Sequence, residues 1–164
     1  MRSLRPSRVV RLLFLAPVLL LAAALQAQSA ADIDKVVSLM KAGNYSYDTT
    51  RSSSVWTIHF AGDHLKDIKV VVAVGEGPDA SLIAFVTVTE KRHMPVTTDF
   101  MRTLLEQDHK MDRVKIAYDA DGDLEVRIDA KLRVTDAEEF QNIVNQVKSA
   151  SDDLYGIIQP QLTE

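Results

Sequence analysis

The densest run of potential metal ligands in the chain is Asp119-Ala120-Asp121-Gly122-Asp123-Leu124-Glu125, with carboxylates at alternate positions. Oxygen ligands in such a run suit a hard cation such as calcium. The spacing is wrong for a calcium loop of the EF-hand type, which places its glycine immediately after the third acid, whereas Gly122 precedes Asp123. A solvated hairpin turn fits the run better. The four histidines, His59, His64, His93 and His109, show none of the close spacings of a zinc site, which needs three or four convergent ligands. His59 and His64 fall close together and read as a surface pair. No serine sits in a GxSxG elbow and the chain has no cysteine, so nucleophilic catalysis has no visible carrier.

Gly75-Glu76-Gly77 follows an apolar run, but Pro78-Asp79 and a second apolar run come next. A phosphate-binding loop must open a helix, so this segment reads as a hairpin loop. Glu138-Glu139 and Asp152-Asp153 are adjacent carboxylates. Neighbours on a helix point about 100° apart, so neither pair faces a common substrate as a glycosidase requires. Lys91-Arg92-His93 is a small basic patch, far short of a nucleic-acid footprint. These residues imply no cofactor and no metal, and they describe no enzyme.

Charge and hydropathy point to an exported domain. Arg2, Arg5, Arg8 and Arg11 are four of the 19 basic residues, and the first 28 positions hold no acid; the rest carries 15 basic against 23 acidic groups, a net charge of −8. That balance argues against nucleic acid or an anionic membrane as the main partner. Leu12 to Leu25 form an apolar run of 14 residues broken by Pro17, followed by the small and polar stretch Gln26 to Ala31. Spanning a bilayer takes roughly 20 apolar residues. The order of charge, apolar run and small residues is that of a cleaved secretory signal over residues 1–28. A single domain over residues 29–164 is expected in the periplasm or outside the cell, with no stable membrane insertion after cleavage and no dependence on redox conditions.

The elements that would position any site follow from periodicity. Ile33, Val36, Val37 and Met40 mark a short amphipathic helix ended by Gly43-Asn44. Trp56, Ile58 and Phe60 alternate as a strand. Ile68–Val74 (IKVVVAV) and Leu82–Val88 (LIAFVTV) flank the glycine loop as an antiparallel hairpin that is apolar on both faces. Thr97 or Thr98 caps a second helix carrying Phe100, Met101, Leu104 and Leu105. Ile116 and Tyr118 then pair with Val126 and Leu124 around a three-residue loop, Ala120-Asp121-Gly122, whose last position takes a left-handed conformation that glycine tolerates. Thr135-Asp136-Ala137-Glu138 reads as a capping box for a long helix with Phe140, Ile143, Val144, Val147 and Leu154 on one stripe. The class is α+β: three helices and an antiparallel sheet of about five strands in the order α-β-β-β-α-β-β-α.

This order resembles the YbjN-type domain family, whose fold is like that of the type III secretion chaperones. The residues that carry the resemblance are Leu104-Leu105-Glu106, Arg113 to Asp119, Gly122 to Arg127 and Asp152-Asp153-Leu154-Tyr155. It spans roughly residues 31 to 158 and rests on element order. It implies a chaperone-like protein or a regulator of sensory transduction, noncatalytic and commonly homodimeric.

The residues available for partners are apolar ones. Val71, Ile83 and Phe85, with Ala73, project to the face opposite Val70, Val72, Ala84 and Val86, and Phe100, Met101, Leu104 and Leu105 form a stripe on a helix of about 12 residues. Together they are the candidate interface, for a second subunit or a protein or peptide client. Cover by a helix of the same chain is the competing explanation for the sheet residues, and packing on its own sheet is that for the stripe. The functional alternatives are a small periplasmic hydrolase or metal-dependent enzyme using His59, His64 or the acids around Asp119, and a sensory module binding a small ligand.

Overall fold

The computed structural model describes residues 30–49, 54–75 and 79–163. The signal expected over residues 1–28 and the tip of the glycine loop lie outside the described residues. The first helix, α1, runs through residues 30–42. Its end is fixed by a 6→1 hydrogen bond from Tyr45 N–H to Met40 C=O (3.1 Å) and one from Asn44 N–H to Lys41 C=O (3.0 Å). Asn44, not Gly43, takes the left-handed conformation, at φ 53°, and its short polar side chain tolerates that region better than most.

Among the described residues six strands follow the helix, one more than the periodicity predicts: β1 (Tyr47–Thr49), β2 (Val55–Phe60), β3 (Ile68–Val74), β4 (Ser81–Thr89), β5 (Lys115–Tyr118) and β6 (Leu124–Lys131). They form one antiparallel sheet in the order β1-β2-β3-β4-β6-β5. The added strand is β1, only three residues long with Asp48 and Thr49 exposed, so it carries no apolar alternation. Between β4 and β5 lies α2 (Thr98–Lys110), capped by the Thr97 hydroxyl accepting from Phe100 N–H (3.2 Å). The chain closes with α3 (Ala137–Ile158).

The β5–β6 pairing has the expected register, Ile116 opposite Val126 and Tyr118 opposite Leu124, around the loop at Ala120-Asp121-Gly122 with Gly122 at φ 88°. The cap of α3 lies one residue later than the capping box predicts. Asp136 is the N-cap and accepts from Glu139 N–H, while the Thr135 hydroxyl turns back to Lys131 C=O (3.0 Å). A short 3₁₀ turn over Leu132–Val134 consumes Thr135 and leaves the stronger capping side chain to start the helix.

One core holds these elements together. Val70, Val72, Leu82 and Ala84 from the central strands, Val36 and Met40 from α1, and Phe140, Ile143, Val147 and Leu154 from α3 have no exposed surface. The helix α3 packs across β3, β4 and β6. Lys35 on α1 ties the two terminal helical regions by donating to the carbonyls of Leu132 and Arg133 (2.6 and 3.1 Å).

Candidate functional site

The apolar stripe of α2 divides when the helix packs. Phe100 and Leu104, four residues apart on one line of the helix, are buried in the core at 1% and 4% exposure. Met101 and Leu105 lie on the next line, about 100° round, and remain 42% and 68% exposed. Tyr118, at the sheet edge beside them, is also exposed, and its hydroxyl donates to Met101 Sδ at 3.4 Å. The surface residues here are therefore Met101, Leu105 and Tyr118. Phe100 and Leu104 serve the core of their own chain. The free edge of β5 is closed by α2: Asp108 Oδ1 accepts the Ile116 N–H at 2.9 Å. An unpaired edge invites strand addition, and this contact removes a donor from it.

The second apolar surface is the outer face of the sheet. Val71 pairs with Phe85 and Ala73 with Ile83 across the hairpin, and all four side chains are half-buried. A charged cluster borders them on β6, whereas on β2 the residues opposite Val71 and Ala73 are Thr57 and Val55. On β6, opposite Phe85 and Ile83, Arg127 donates to Glu125 Oε1 (2.8 Å) and Asp129 Oδ1 (2.6 Å), and Lys115 reaches Asp129 from β5. The hydrogen bonds to Asp129 and then Glu125 raise the Arg127 guanidinium above its ordinary range. Burial works against the charge on Asp129, but Arg127 and Lys115 outweigh it and lower that carboxyl. On β2, His59 lies between Asp48 (3.3 Å) and Asp67 (3.0 Å).

A groove of about 560 Å³ opens where the turn after β2 meets the ends of α2 and α3, lined by His64, Lys110, Met111, Asp153 and Ile157 among others. Its floor depends on Gly156, since a Cβ there would stand 2.7 Å from the His64 ring. Asp152 and Asp153 indeed diverge. Asp153 lines the groove, while Asp152 is buried and accepts N–H bonds from Asp63 (2.8 Å), His64 (3.0 Å) and Leu65 (2.7 Å). Burial raises the Asp152 carboxyl, and these three donors more than reverse it, so it sits below the usual carboxylate range.

The acids after Tyr118 organise their own turn. Asp119 accepts from the N–H groups of Asp121 and Asp123 (both 2.9 Å), and Asp123 accepts from Lys91 N–H (2.8 Å). Lys91-Arg92-His93 forms a 3₁₀ turn rather than a strand end. There Arg92 pairs with Glu90, and His93 Nδ1 lies 3.0 Å from the Thr163 carbonyl. Among the described residues no group of three or more histidines and carboxylates is placed to hold a metal ion, and no helix is long and apolar enough to cross a membrane. Sequence reasoning missed two features. The triple anchor at Asp152 joins residues almost ninety positions apart, and the bracketing of His59 depends on a strand too short to show a pattern.

No family model matches the chain, and no curated protein matches it. Among solved structures, it is similar to a chain in the heterodimeric complex ExoU-SpcU from the type III secretion system of Pseudomonas aeruginosa. The TM-score is 0.50 at 16% identity, over 68% of this chain and 88% of that one. At this identity the likeness is one of fold, and it supports a type III secretion chaperone-like fold for this chain.

Proposed function

We propose that this chain is an exported, noncatalytic, chaperone-like module of the YbjN type that holds a protein or peptide segment in the cell envelope. The observation that carries the reading is the half-buried apolar strip Val71, Ala73, Ile83 and Phe85, which the described residues leave on the face of the sheet opposite their core. An extended segment laid there would bury its apolar side chains on the strip and reach the charged row of β6 beside it. The structural relative was solved in a complex of two different proteins, which agrees with a partner-binding use of this fold. Function does not follow from fold by itself, so the strip bears the weight. Met101, Leu105 and Tyr118 form a second surface, suited to a twin subunit that would bury the same patch on both sides of a two-fold axis.

Affinity purification from the envelope fraction tests this directly, using the wild type and an Ile83→Asp variant of unchanged melting temperature. A specific protein recovered with the wild type and lost with the variant supports the reading. Equal recovery with both removes the outer face from it. Intact-mass analysis of the same fraction is expected to show a mature chain beginning between residues 28 and 31, and only full-length chain in the membrane pellet contradicts export.

A further inference from the structure

The edge strand β1 has little apolar burial to hold it. Of its three residues, only Tyr47 is half-buried, and Asp48 and Thr49 are exposed. A side chain of the neighbouring strand does hold it. His59 on β2 places Nε2 at 3.3 Å from Asp48 Oδ2 on β1, and Nδ1 at 3.0 Å from Asp67 Oδ1 in the turn that leads into β3. Ionised carboxylates only accept hydrogen bonds; a neutral imidazole has one N–H to give, and an imidazolium has two. The contact to Asp67 is a hydrogen bond and the contact to Asp48 is an ion-pair contact, and both are attractive together only while His59 carries its second proton. Once it is lost, one ring nitrogen turns a lone pair toward a carboxylate oxygen.

We propose that His59 is a proton-operated latch that fastens the edge strand β1 to the sheet in acid and loosens it as the pH rises through the histidine range. The charged groups facing the ring are Asp48 from β1, Asp67 from the turn, and Lys69, which lies directly across on β3 and 3.6 Å from Asp67. The hydrogen bond from His59 is the main cause holding the Asp67 carboxyl below the usual range. When a single proton remains, the shorter bond to Asp67 retains it, and Asp48, whose side chain is 82% exposed, is released. Between pH 5 and 8 histidine is the side chain that makes such a change.

Amide hydrogen exchange on the full chain, read by NMR at about pH 5.5 and about pH 8 with each rate referred to the unstructured rate at the same pH, tests the latch. The β1 amides are expected to be about two- to five-fold better protected in acid, the range of an exposed ion pair. The difference is expected to vanish in both His59→Gln and Asp48→Asn. Asp48→Asn changes only an exposed side chain, so it decides the matter if His59→Gln perturbs the fold. Equal protection of β1 at both pH values in the wild type overturns the proposal, as does a pH difference that survives in either folded variant.

Discussion

On β3, Ile68, Val70 and Val72 face inward with no exposed surface, while Val71 and Ala73, of the same residue types, face outward and stay half-buried. On β4 the same division separates Leu82, Ala84 and Val86 from Ile83 and Phe85. The outer face also carries Lys69, Ser81 and Thr87, but at its centre Val71, Ala73, Ile83 and Phe85 are apolar like the inner residues, so composition alone does not explain the contrast there. What differs is the cover available. The residues of α1 and α3 join one core on the inner face, and α2 seats its buried line on that core while its Asp108 closes the edge of β5. An apolar face therefore reports a demand for cover, and the count and placement of helices decide whether the chain meets that demand itself.

Substitutions on the two sides of each boundary should separate them sharply. The largest effect is expected within α2. Leu104→Asp buries an unpaired charge and is expected to unfold the protein, a loss on the order of 4 kcal/mol or more, whereas Leu105→Asp is expected to shift stability by no more than about 0.5 kcal/mol. Light scattering then shows a wild-type dimer and a folded Leu105→Asp monomer if the exposed line is a subunit interface. A wild-type monomer removes that role. Thermal melts read the stability difference.

A smaller loss is expected at Asp152, whose removal strands three N–H donors: Asp152→Ala should cost roughly 3 kcal/mol in urea unfolding. The pH dependence has a definite sign. The folded carboxyl titrates below its unfolded value, so its stabilisation is complete above about pH 4 and is lost as the pH falls through the folded value. The Asp152→Asn variant should show a shallower fall in urea midpoint below that pH than the wild type; parallel curves would show that the anchor is not a charged one. Smaller than the loss at Asp152 should be that on the outer face. Phe140→Ala, in the core, is expected to cost about 3–5 kcal/mol, but Phe85→Ala on the half-buried strip well under half of that by the same melt. Equal losses would mean that the outer strip is core after all.

Much of this architecture is legible in the sequence because local patterns carry it. Alternation gives β2, β5 and β6, continuous apolar runs give β3 and β4, the position of Gly122 fixes the β5–β6 register, and Thr97 caps α2 as its residue type predicts. The misses have physical causes. The strand β1 is too short to alternate, and the cap of α3 moves to Asp136 because the 3₁₀ turn before it uses Thr135. The α2 stripe contains two lines that periodicity cannot separate, since both lie within the arc a surface helix can bury. Asp152 and the Asp48–His59–Asp67 bracket depend on contacts between segments distant in the sequence or set by strand register, and neither leaves a motif.

The most direct test of the outer face as a partner surface is a photo-crosslinking amino acid placed at position 85 in the full chain expressed in cells, with the exposed position 66 as control. Irradiation is expected to join position 85 to a defined segment of one partner, in a yield several-fold above the control, and Ile83→Asp in the same chain should abolish the product. A position-85 yield no higher than that at position 66, or a product unaffected by Ile83→Asp, would contradict the assignment of this face to partner binding.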